Sequence, residues 1–336
     1  MSTASSTRIP VLVLAGPTAS GKTDLLLELF GGGGRSVFPP AEIVSADSMQ
    51  AYRGMDIGTA KPDAALRASL PHRLVDILDP AEQYSVGDFV RLADEACAQI
   101  AAGGGLPVVS GGTGFYIRNF MLGLPTSPVS DPAMREAVAR DFAEKGRAAL
   151  RAELEALDPA AAARIHPNDS YRLQRALEIL RATGRPLSDF APPGLGAADL
   201  GEGLGEGRPA YRFLVACVER PREELYARID ARVDAMFRAG LPAEFARLRA
   251  AGYGREAPGM KAIGYSEFFE AEAEGADLRS EAGLARVAEA VKLHSRRYAK
   301  RQETFFRGLP GLVRVPAQGA AAALSSLLAA FLAKGV

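Results

Sequence analysis

One eight-residue segment near the N-terminus, residues 16–23 (GPTASGKT), constrains the fold of this chain more than any other. It matches the phosphate-binding pattern G-x-x-x-x-G-K-[ST] at every fixed position. An apolar run at 11–14 precedes it and a leucine-rich run at 24–29 follows, which indicates a buried strand before the loop and a helix after it. Backbone N–H groups and the helix dipole then converge on an anion, Lys22 adds a charge, and the Thr23 hydroxyl can bind Mg²⁺. The segment predicts a site for a di- or triphosphate.

Asp47 follows a second apolar run, residues 42–46. Side chains just beyond the carboxyl ends of parallel strands share one crevice, so we expect Asp47 near the phosphate loop. Three roles fit a carboxylate at this point: a general base, a magnesium ligand or a helix N-cap. The residues alone leave all three open.

The next two apolar runs extend the same pattern. Residues 71–79 (PHRLVDILD) predict a third strand whose last residue, Asp79, is either a metal-holding acid or the opening of a turn. Residues 106–110 predict a fourth strand that runs into GGTG. This turn either brings the backbone and the Thr113 hydroxyl close to a ligand or is an ordinary tight turn. Because these strands alternate with helical segments, the fold class is α/β, a doubly wound parallel sheet of the P-loop NTPase type.

Composition limits the compartment and the partners. The 336 residues are 48% hydrophobic with a formal net charge of zero, which argues against a protein coated in basic charge but permits a local basic patch. Cys97 and Cys217 are expected to be core thiols in a reducing compartment. No stretch reaches the roughly 20 apolar residues needed to span a bilayer. We therefore expect a cytoplasmic protein that does not bind membranes.

The alternation of strands and helices stops in the middle of the chain. Residues 131–189 have the pattern of helices with no convincing strand, which predicts an all-helical insertion. In one of its helices Arg172 and Arg175 share an outer face, as on a solvated helix surface. The predicted division is a P-loop catalytic core at 8–124 and 209–315, a helical insertion domain at 125–190, a linker at 191–208 and a C-terminal helix at 316–336.

Two later helices carry conspicuous cations. Arg228 and Arg232 lie one turn apart and can reach a phosphate, or pair with Asp230 and Asp234 on the surface. The helix at 286–307 is strongly basic and ends in aromatic residues, which is typical of a track for a nucleic-acid backbone. Its cations, answered nearby only by Glu303, are Lys292, Arg296, Arg297, Lys300 and Arg301.

These pieces together resemble the tRNA dimethylallyltransferases of the bacterial type. The matching stretches follow one order over residues 11–307, and MDIGTAKP between a phosphate loop and GGTG is far more specific than the loop alone. Phe305 stands where the family's KRQ-x-T is followed by Trp, which keeps an aromatic surface. The stretches are GPTASGKT, SADSMQ, YRGMDIGTAKP, PHRLVDILDP, GGTGFYI, HPNDSYRLQRALEILRATG, MKAIGY and KRQETFF.

The resemblance implies transfer of a dimethylallyl group from dimethylallyl diphosphate to N6 of adenosine 37 in the tRNA anticodon loop, with Mg²⁺ as cofactor and Thr23 as its ligand. Asp47, Thr23 and Arg232 are the expected catalytic residues. The expected diphosphate-binding residues are Gly16, Pro17, Thr18, Ala19, Ser20, Gly21, Lys22, Thr23 and Arg228. The expected tRNA contacts are Asp47, Ser48, Met49, Gln50, Thr113, Arg135, Tyr171, Arg172, Leu173, Gln174, Arg175, Met260, Lys261, Ala262, Ile263, Gly264, Tyr265, Lys292, Arg296, Lys300 and Arg301.

Two other activities fit the phosphate loop. A kinase of a small molecule or nucleotide would transfer phosphate from ATP, and a relative that prenylates free AMP would need neither the helical insertion nor the basic helix. A non-enzymatic switch or scaffold protein is a more distant alternative, because it would not require Asp47 and Thr113 at the phosphate face. We expect the enzyme to act as a monomer.

Overall fold

The computed structural model describes residues 8–31, 37–124, 131–190 and 211–334. The chain divides into two compact units, residues 1–123 with 196–336, and residues 124–195. The predicted linker at 191–208 lies outside the described residues.

The first unit is built on one parallel sheet. Its strands are β1 (Ile9–Ala15), β2 (Ala41–Ser45), β3 (His72–Arg73), β4 (Leu106–Gly111), β5 (Tyr211–Glu219) and β6 (Val313–Pro316), in the order β3-β2-β4-β1-β5-β6. β1 is central and is buried almost throughout because it pairs on both sides, with Val13 in register with Val109 and Val215. The predicted α/β class with a parallel sheet is confirmed.

Helices cover both faces of the sheet and divide its core into two apolar clusters. Val11, Val13 and Val109 belong to one cluster, whereas Leu12, Leu14 and Val108 belong to the other, as alternation along a strand requires. The helices of this unit are α1 (Lys22–Phe30), α2 (Ala64–Ser69), α3 (Val86–Ala102), α4 (Gly114–Leu122), α8 (Arg222–Arg238), α9 (Leu241–Ala250), α10 (Ser266–Ala273), α11 (Glu281–Phe306) and α12 (Ala320–Ala333).

The third strand is much shorter than the sequence predicts. Only His72 and Arg73 pair with β2, because Leu74 and Asp76 adopt left-handed backbone conformations with φ of 63° and 59°. Asp79 opens a turn, since its carboxylate accepts the Ala81 N–H at 2.9 Å and the Tyr253 hydroxyl at 2.6 Å. The turn interpretation of Asp79 is therefore confirmed, and its two carboxylate oxygens both accept hydrogen bonds from the protein.

The second unit is helical throughout its described residues. It contains α5 (Pro132–Leu157), α6 (Pro159–Arg164) and α7 (Ser170–Thr183), followed by a short 3-10 turn at Leu187–Phe190. Asp169 caps α7 by accepting the Arg172 N–H at 3.0 Å. Leu150, Leu154, Leu173 and Leu177 are among the residues of its small core.

Candidate active site

A cavity of about 610 Å³ lies where the carboxyl ends of β1, β2 and β4 meet. Thr18, Lys22 and Thr23 of the phosphate loop line it, together with Arg232 from α8 and Asp47. Three further segments that line it, residues 47–50, 58–63 and 261–263, are called the composite wall, and Tyr298 and Gln302 of α11 line the cavity as well. The sheet topology assembles the cavity, because it brings the phosphate loop, residues 47–63 and residues 261–263 together from distant parts of the chain.

The phosphate loop adopts the curved backbone that its motif predicts. Ala19 and Gly21 have φ of 61° and 96°, the left-handed conformations that turn successive N–H groups toward one point. The Lys22 ammonium donates to the Gly16 and Pro17 carbonyls at 2.7 and 3.0 Å.

Two arginines support this loop from outside. Arg228 donates from Nε to the Ala19 carbonyl at 2.9 Å, and Arg220 donates from Nε to the Ser20 carbonyl at 2.7 Å. Arg228 also lies 3.7 Å from Asp24, at the surface. Its observed contacts stabilise the loop that binds the anion, which is a less direct role than the sequence predicts for it.

The two cations that line the cavity, Lys22 and Arg232, both have lowered pKa values. Burial, together with the nearby Arg232 guanidinium, lowers the pKa of Lys22 to about 8, and the Asp47 carboxylate opposes that shift. Burial also lowers the pKa of Arg232, again opposed by Asp47. Arg232 donates to the Thr18 hydroxyl at 3.3 Å. Two desolvated cations beside one carboxylate form a site suited to a multiply charged anion.

Asp47 occupies a turn, not the start of a helix. Its Oδ1 accepts the Met49 N–H at 3.0 Å, and residues 48–51 form turns. The N-cap interpretation is therefore wrong, and the general-base and magnesium-ligand interpretations remain. Thr113 supports this segment, because its hydroxyl accepts the Ser48 N–H at 3.1 Å.

The donors at the cavity suit a magnesium ion that is carried mainly by its substrate. Thr23 supplies a hydroxyl and Asp47 a carboxylate to the same cavity. No cluster of three or more His, Cys, Asp or Glu residues that could hold a metal occurs among the described residues. Mg²⁺ is commonly held by one or two carboxylates, waters and substrate phosphates. The residues present fit that mode of binding.

The composite wall is held by a buried carboxylate that the sequence analysis did not identify. Glu244 on α9 is only 2% exposed. It accepts the N–H groups of Asp56, Ile57 and Gly58 at 2.9–3.1 Å and the Tyr265 hydroxyl at 2.7 Å. One side chain thus fixes the loop at 52–62 and the loop at 259–265, and the only hint in the sequence is an acidic residue on an otherwise apolar helix face.

Lys61 fixes the other end of the same loop. Its side chain is 2% exposed, and its ammonium donates to the Tyr52 carbonyl at 2.7 Å and to Asp56 and Asp76 at 2.7 and 2.6 Å. The Gln50 amide lies against the Thr59 and Ala60 carbonyls at 3.4 Å. The MDIGTAKP segment is therefore a rigid part of the cavity rather than a loose loop.

Several predicted tRNA contacts are buried. The Met260 and Tyr265 side chains are fully buried, and Ala262 and Leu173 are 5% and 2% exposed. These four side chains contribute to packing and are not available to a macromolecule in this structure. Gly264 is buried as well, and the remaining predicted contacts are at least partly exposed, among them Tyr171 at 80%.

The basic helix α11 differs most from its prediction. Lys292 pairs with Asp234 at 2.7 Å and Glu289 at 2.9 Å, and Arg296 pairs with Asp230 at 2.5 Å. The expectation that only Glu303 answers these cations is wrong, because two acids one turn apart on α8 meet two cations one turn apart on α11. Within the described part of the chain, no carboxylate pairs with the exposed Arg297 or Lys300.

Gln302 is a second residue that the sequence analysis missed, although it lies in the KRQETFF stretch. Its amide bridges the phosphate loop and the GGTG turn, accepting the Thr18 N–H at 2.9 Å and donating to the Gly112 carbonyl at 2.8 Å. Tyr298 lies beside it, and burial together with the Asp47 charge raises the pKa of Tyr298 to about 12, so its hydroxyl stays protonated.

Curated proteins are similar to this chain over most of its length. The tRNA dimethylallyltransferase 1 of Trichlorobacter lovleyi is 40% identical over 323 residues, which are 96% of this chain and 99% of that protein. The tRNA dimethylallyltransferase of an Anaeromyxobacter species is 46% identical over 300 residues, 88% and 91% of the two chains.

Solved structures give the same result. The full-length tRNA isopentenylpyrophosphate transferase of Bacillus halodurans matches with a TM-score of 0.65 and 32% identity over 97% of both chains. A eukaryotic dimethylallyltransferase described as acting on tRNA matches with a TM-score of 0.70, over 92% of this chain and 74% of its own. At 24% identity, that likeness concerns the fold alone.

A family model described as IPP transferase matches residues 50–309, most of the chain. Together with the 40–46% identical relatives, this match shows that the chain belongs to the IPP transferase family.

Proposed function

We propose that this protein transfers a dimethylallyl group from dimethylallyl diphosphate to N6 of adenosine 37 in the tRNA anticodon loop and releases diphosphate. The observation that carries the proposal is one cavity lined by Lys22, Thr23, Arg232 and Asp47, an anion site with a carboxylate beside it. The curated relatives described above, 40–46% identical, are named tRNA dimethylallyltransferases, which favours this activity over a kinase or the prenylation of free AMP.

The reaction has three coupled changes that these residues can serve. A bond forms between N6 and C1 of the dimethylallyl group, the bond from C1 to the diphosphate oxygen breaks with its electron pair, and one proton leaves N6. Asp47 accepts that proton, since an exocyclic amine is a weak nucleophile and needs a base at hand. A base stacked in the anticodon loop must leave the stack to reach the cavity.

The leaving diphosphate develops charge as the bond breaks. The phosphate-loop N–H groups, Lys22 and Arg232 stabilise this charge because they are already oriented and desolvated before the reaction. Mg²⁺, held by Thr23 and the substrate oxygens, supplies further positive charge when it is bound. Arg228 and Arg220 act indirectly, because they bind the Ala19 and Ser20 carbonyls and keep the phosphate loop in place.

We propose two surfaces for the tRNA. One is the exposed side of α11, with Arg297, Lys300 and Arg301, which replaces the row that included Lys292 and Arg296. The other is the exposed start of α7 in the second unit, where Tyr171 and Arg172 lie beside Gln174 and Arg175; Arg135 on α5 of the same unit is exposed as well. Exposed aromatic and basic side chains suit stacking and phosphate contact respectively.

The test is mass spectrometry of tRNA nucleosides after incubation with dimethylallyl diphosphate, beside parallel reactions with labelled ATP and with free AMP as acceptor. We expect an N6-dimethylallyl adenosine in the anticodon loop and no transfer in either parallel reaction. Phosphate transfer from ATP, or prenylation of AMP at a rate equal to that of tRNA, would contradict the proposal.

A further inference from the structure

Gln302 links two loops that come from different strands. It lies on α11 and is 5% exposed. Its Oε1 accepts the Thr18 N–H and its Nε2 donates to the Gly112 carbonyl, so the two partners fix the orientation of the amide. The partners are 284 and 190 residues away in sequence.

The amide of Gln302 is tightly packed. A Cβ added at Gly112 would lie 2.4 Å from Nε2 of Gln302, far inside van der Waals contact. The hydroxyl of Tyr298 reaches the same Gly112 carbonyl at 3.4 Å. The carbonyl is thus held from α11 by two donors, and the amide cannot swing away without losing both of its bonds.

Each loop that Gln302 holds continues into one half of the reaction site. Thr18 is followed by the anion-binding turn, and its hydroxyl receives Arg232. Gly112 is followed by Thr113, whose hydroxyl holds the Ser48 N–H next to Asp47. A single side chain therefore joins the loop for the leaving group to the support of the carboxylate.

We infer that Gln302 is a positioning residue that keeps the leaving-group site and Asp47 in register for the transfer step. The inference rests on the proposed function. Since each half-site keeps its own ligand contacts without Gln302, its loss should slow the chemical step much more than it weakens either substrate. Misplacing groups by about 1 Å can cost on the order of 100-fold in rate.

The test compares Gln302→Glu, Gln302→Leu and a control, Thr304→Ala, whose hydroxyl is exposed and bonds only within its own helix. Single-turnover rates are measured with saturating dimethylallyl diphosphate and tRNA, and dissociation constants are measured for each substrate. We expect both Gln302 variants to react about 10- to 100-fold more slowly with dissociation constants changed about threefold or less. The control should match the parent.

The pH dependence of the variant-to-parent rate ratio separates positioning from general damage. A protonated glutamic acid can accept the Thr18 N–H and donate to the Gly112 carbonyl, whereas its carboxylate cannot donate. The ratio for Gln302→Glu should therefore recover as pH falls, and the ratio for Gln302→Leu should stay constant. The other charged or ionisable groups around this amide and its cavity, which are Asp47, Lys22, Arg232 and Tyr298, are present in variant and parent alike, so their effect largely cancels in the ratio.

A pair of variants provides a second measurement. Gly112→Ala should displace Gln302 by its close contact, so the double variant with Gln302→Ala should lose no more activity than Gln302→Ala alone. Three results would each overturn the inference. In the first, the rate losses of the two single variants multiply in the double variant; in the second, the rate ratio for Gln302→Glu does not change with pH; in the third, Gln302→Leu reacts at the parent's rate. A parent enzyme that leaves tRNA unmodified would instead overturn the proposed function.

Discussion

The phosphate loop and the composite wall border one cavity but are stabilised in different ways. The loop is eight consecutive residues curved by their own backbone, with left-handed residues at Ala19 and Gly21, and Arg228, Arg220 and Gln302 bond to it from outside. The wall is made of three separate segments, and two buried side chains hold its middle segment, Glu244 from α9 and Lys61 from within the segment itself. A local motif thus supplies the anion site, whereas the wall depends on buried side chains that hold its separate segments in place.

This difference predicts different consequences of mutation. Substitutions in the loop should change diphosphate binding and leave the fold largely intact. Substitutions in the supports of the wall should change stability and acceptor use together, because the same contacts that fold the wall also shape the cavity. Four predictions test that contrast, from the largest effect to the smallest.

Asp47→Ala should slow the chemical step without removing either binding surface. General-base removal typically costs about 10² to 10⁴ in rate, or roughly 3 to 5 kcal/mol of barrier. The slowing is measured as the single-turnover rate on bound tRNA at several magnesium concentrations. Partial rescue by extra magnesium would reassign Asp47 as a metal ligand, and a variant that reacts at the parent rate would exclude it from the reaction.

Glu244→Ala should destabilise the protein by roughly 3 to 5 kcal/mol, because three backbone N–H groups and the Tyr265 hydroxyl lose a buried carboxylate. Glu244→Gln keeps one acceptor oxygen and should lose less. Denaturant unfolding measures both variants. The matched control is Glu256→Ala, whose carboxylate is 93% exposed in a 3.6 Å pair with Lys261 and should contribute little. Equal losses at Glu244 and Glu256 would contradict the role given to Glu244.

The same contrast explains what the sequence could predict. The phosphate loop, the alternation of strands and helices and the turn at Asp79 depend on neighbours in sequence, and the pattern of residues predicts them. The sequence does not predict the short third strand, because positive φ at Leu74 and Asp76 is not encoded by glycine. Asp76 is held instead by Lys61 and Arg67, at 2.6 and 2.8 Å.

Two supports that the sequence does not reveal, Glu244 and Gln302, have partners that lie far away in the chain. Glu244 is 186 to 188 residues from the N–H groups that it accepts. The sequence suggests Asp230 and Asp234 as partners for Arg228 and Arg232 on the same helix, yet they pair with Arg296 and Lys292 on α11. Spacing within one helix identifies charges that share a face but not the element that packs against that face.

The positions of Thr23 and Arg232 are seen in the structure, but their roles in the reaction stay predictions. Thr23 and Arg232 line the cavity as expected, and the assignment of each to the leaving group stays a prediction. The cytoplasmic location and the monomeric state stay predictions as well. Within the described residues, no helix is both long and apolar enough to cross a membrane.

Lys22→Ala should weaken diphosphate binding and turnover together, since the ammonium contacts bound substrate and leaving group alike. A hydrogen bond to a charged group contributes about 1.5 to 3 kcal/mol, or roughly 10- to 100-fold in affinity. Because the pKa of Lys22 is lowered to about 8, the parent loses this charge as pH rises above that value, and its diphosphate affinity should fall there. Titration calorimetry with inorganic diphosphate from about pH 6.5 to 9.5, a range that brackets this ionisation, tests it. The Lys22→Ala variant should not show this fall in diphosphate affinity. The same fall in both proteins would assign the ionisation to another group.

The smallest effect distinguishes the two sides of α11. Arg297→Ala with Lys300→Ala removes two exposed cations, and each tRNA phosphate that is no longer neutralised should lower the slope of log affinity against log salt by about one. Lys292→Ala with Arg296→Ala removes cations already neutralised by Glu289, Asp230 and Asp234. This second pair should lower the melting temperature but keep the parent's salt slope. Binding of an anticodon stem-loop RNA between about 50 and 300 mM salt measures all three proteins, with inorganic diphosphate affinity as the check on the cavity. Slopes lowered equally in both double variants would mean that the ion pairs open for RNA and that both sides of the helix form one surface. Parent-like slopes in both variants would place the tRNA away from α11 altogether.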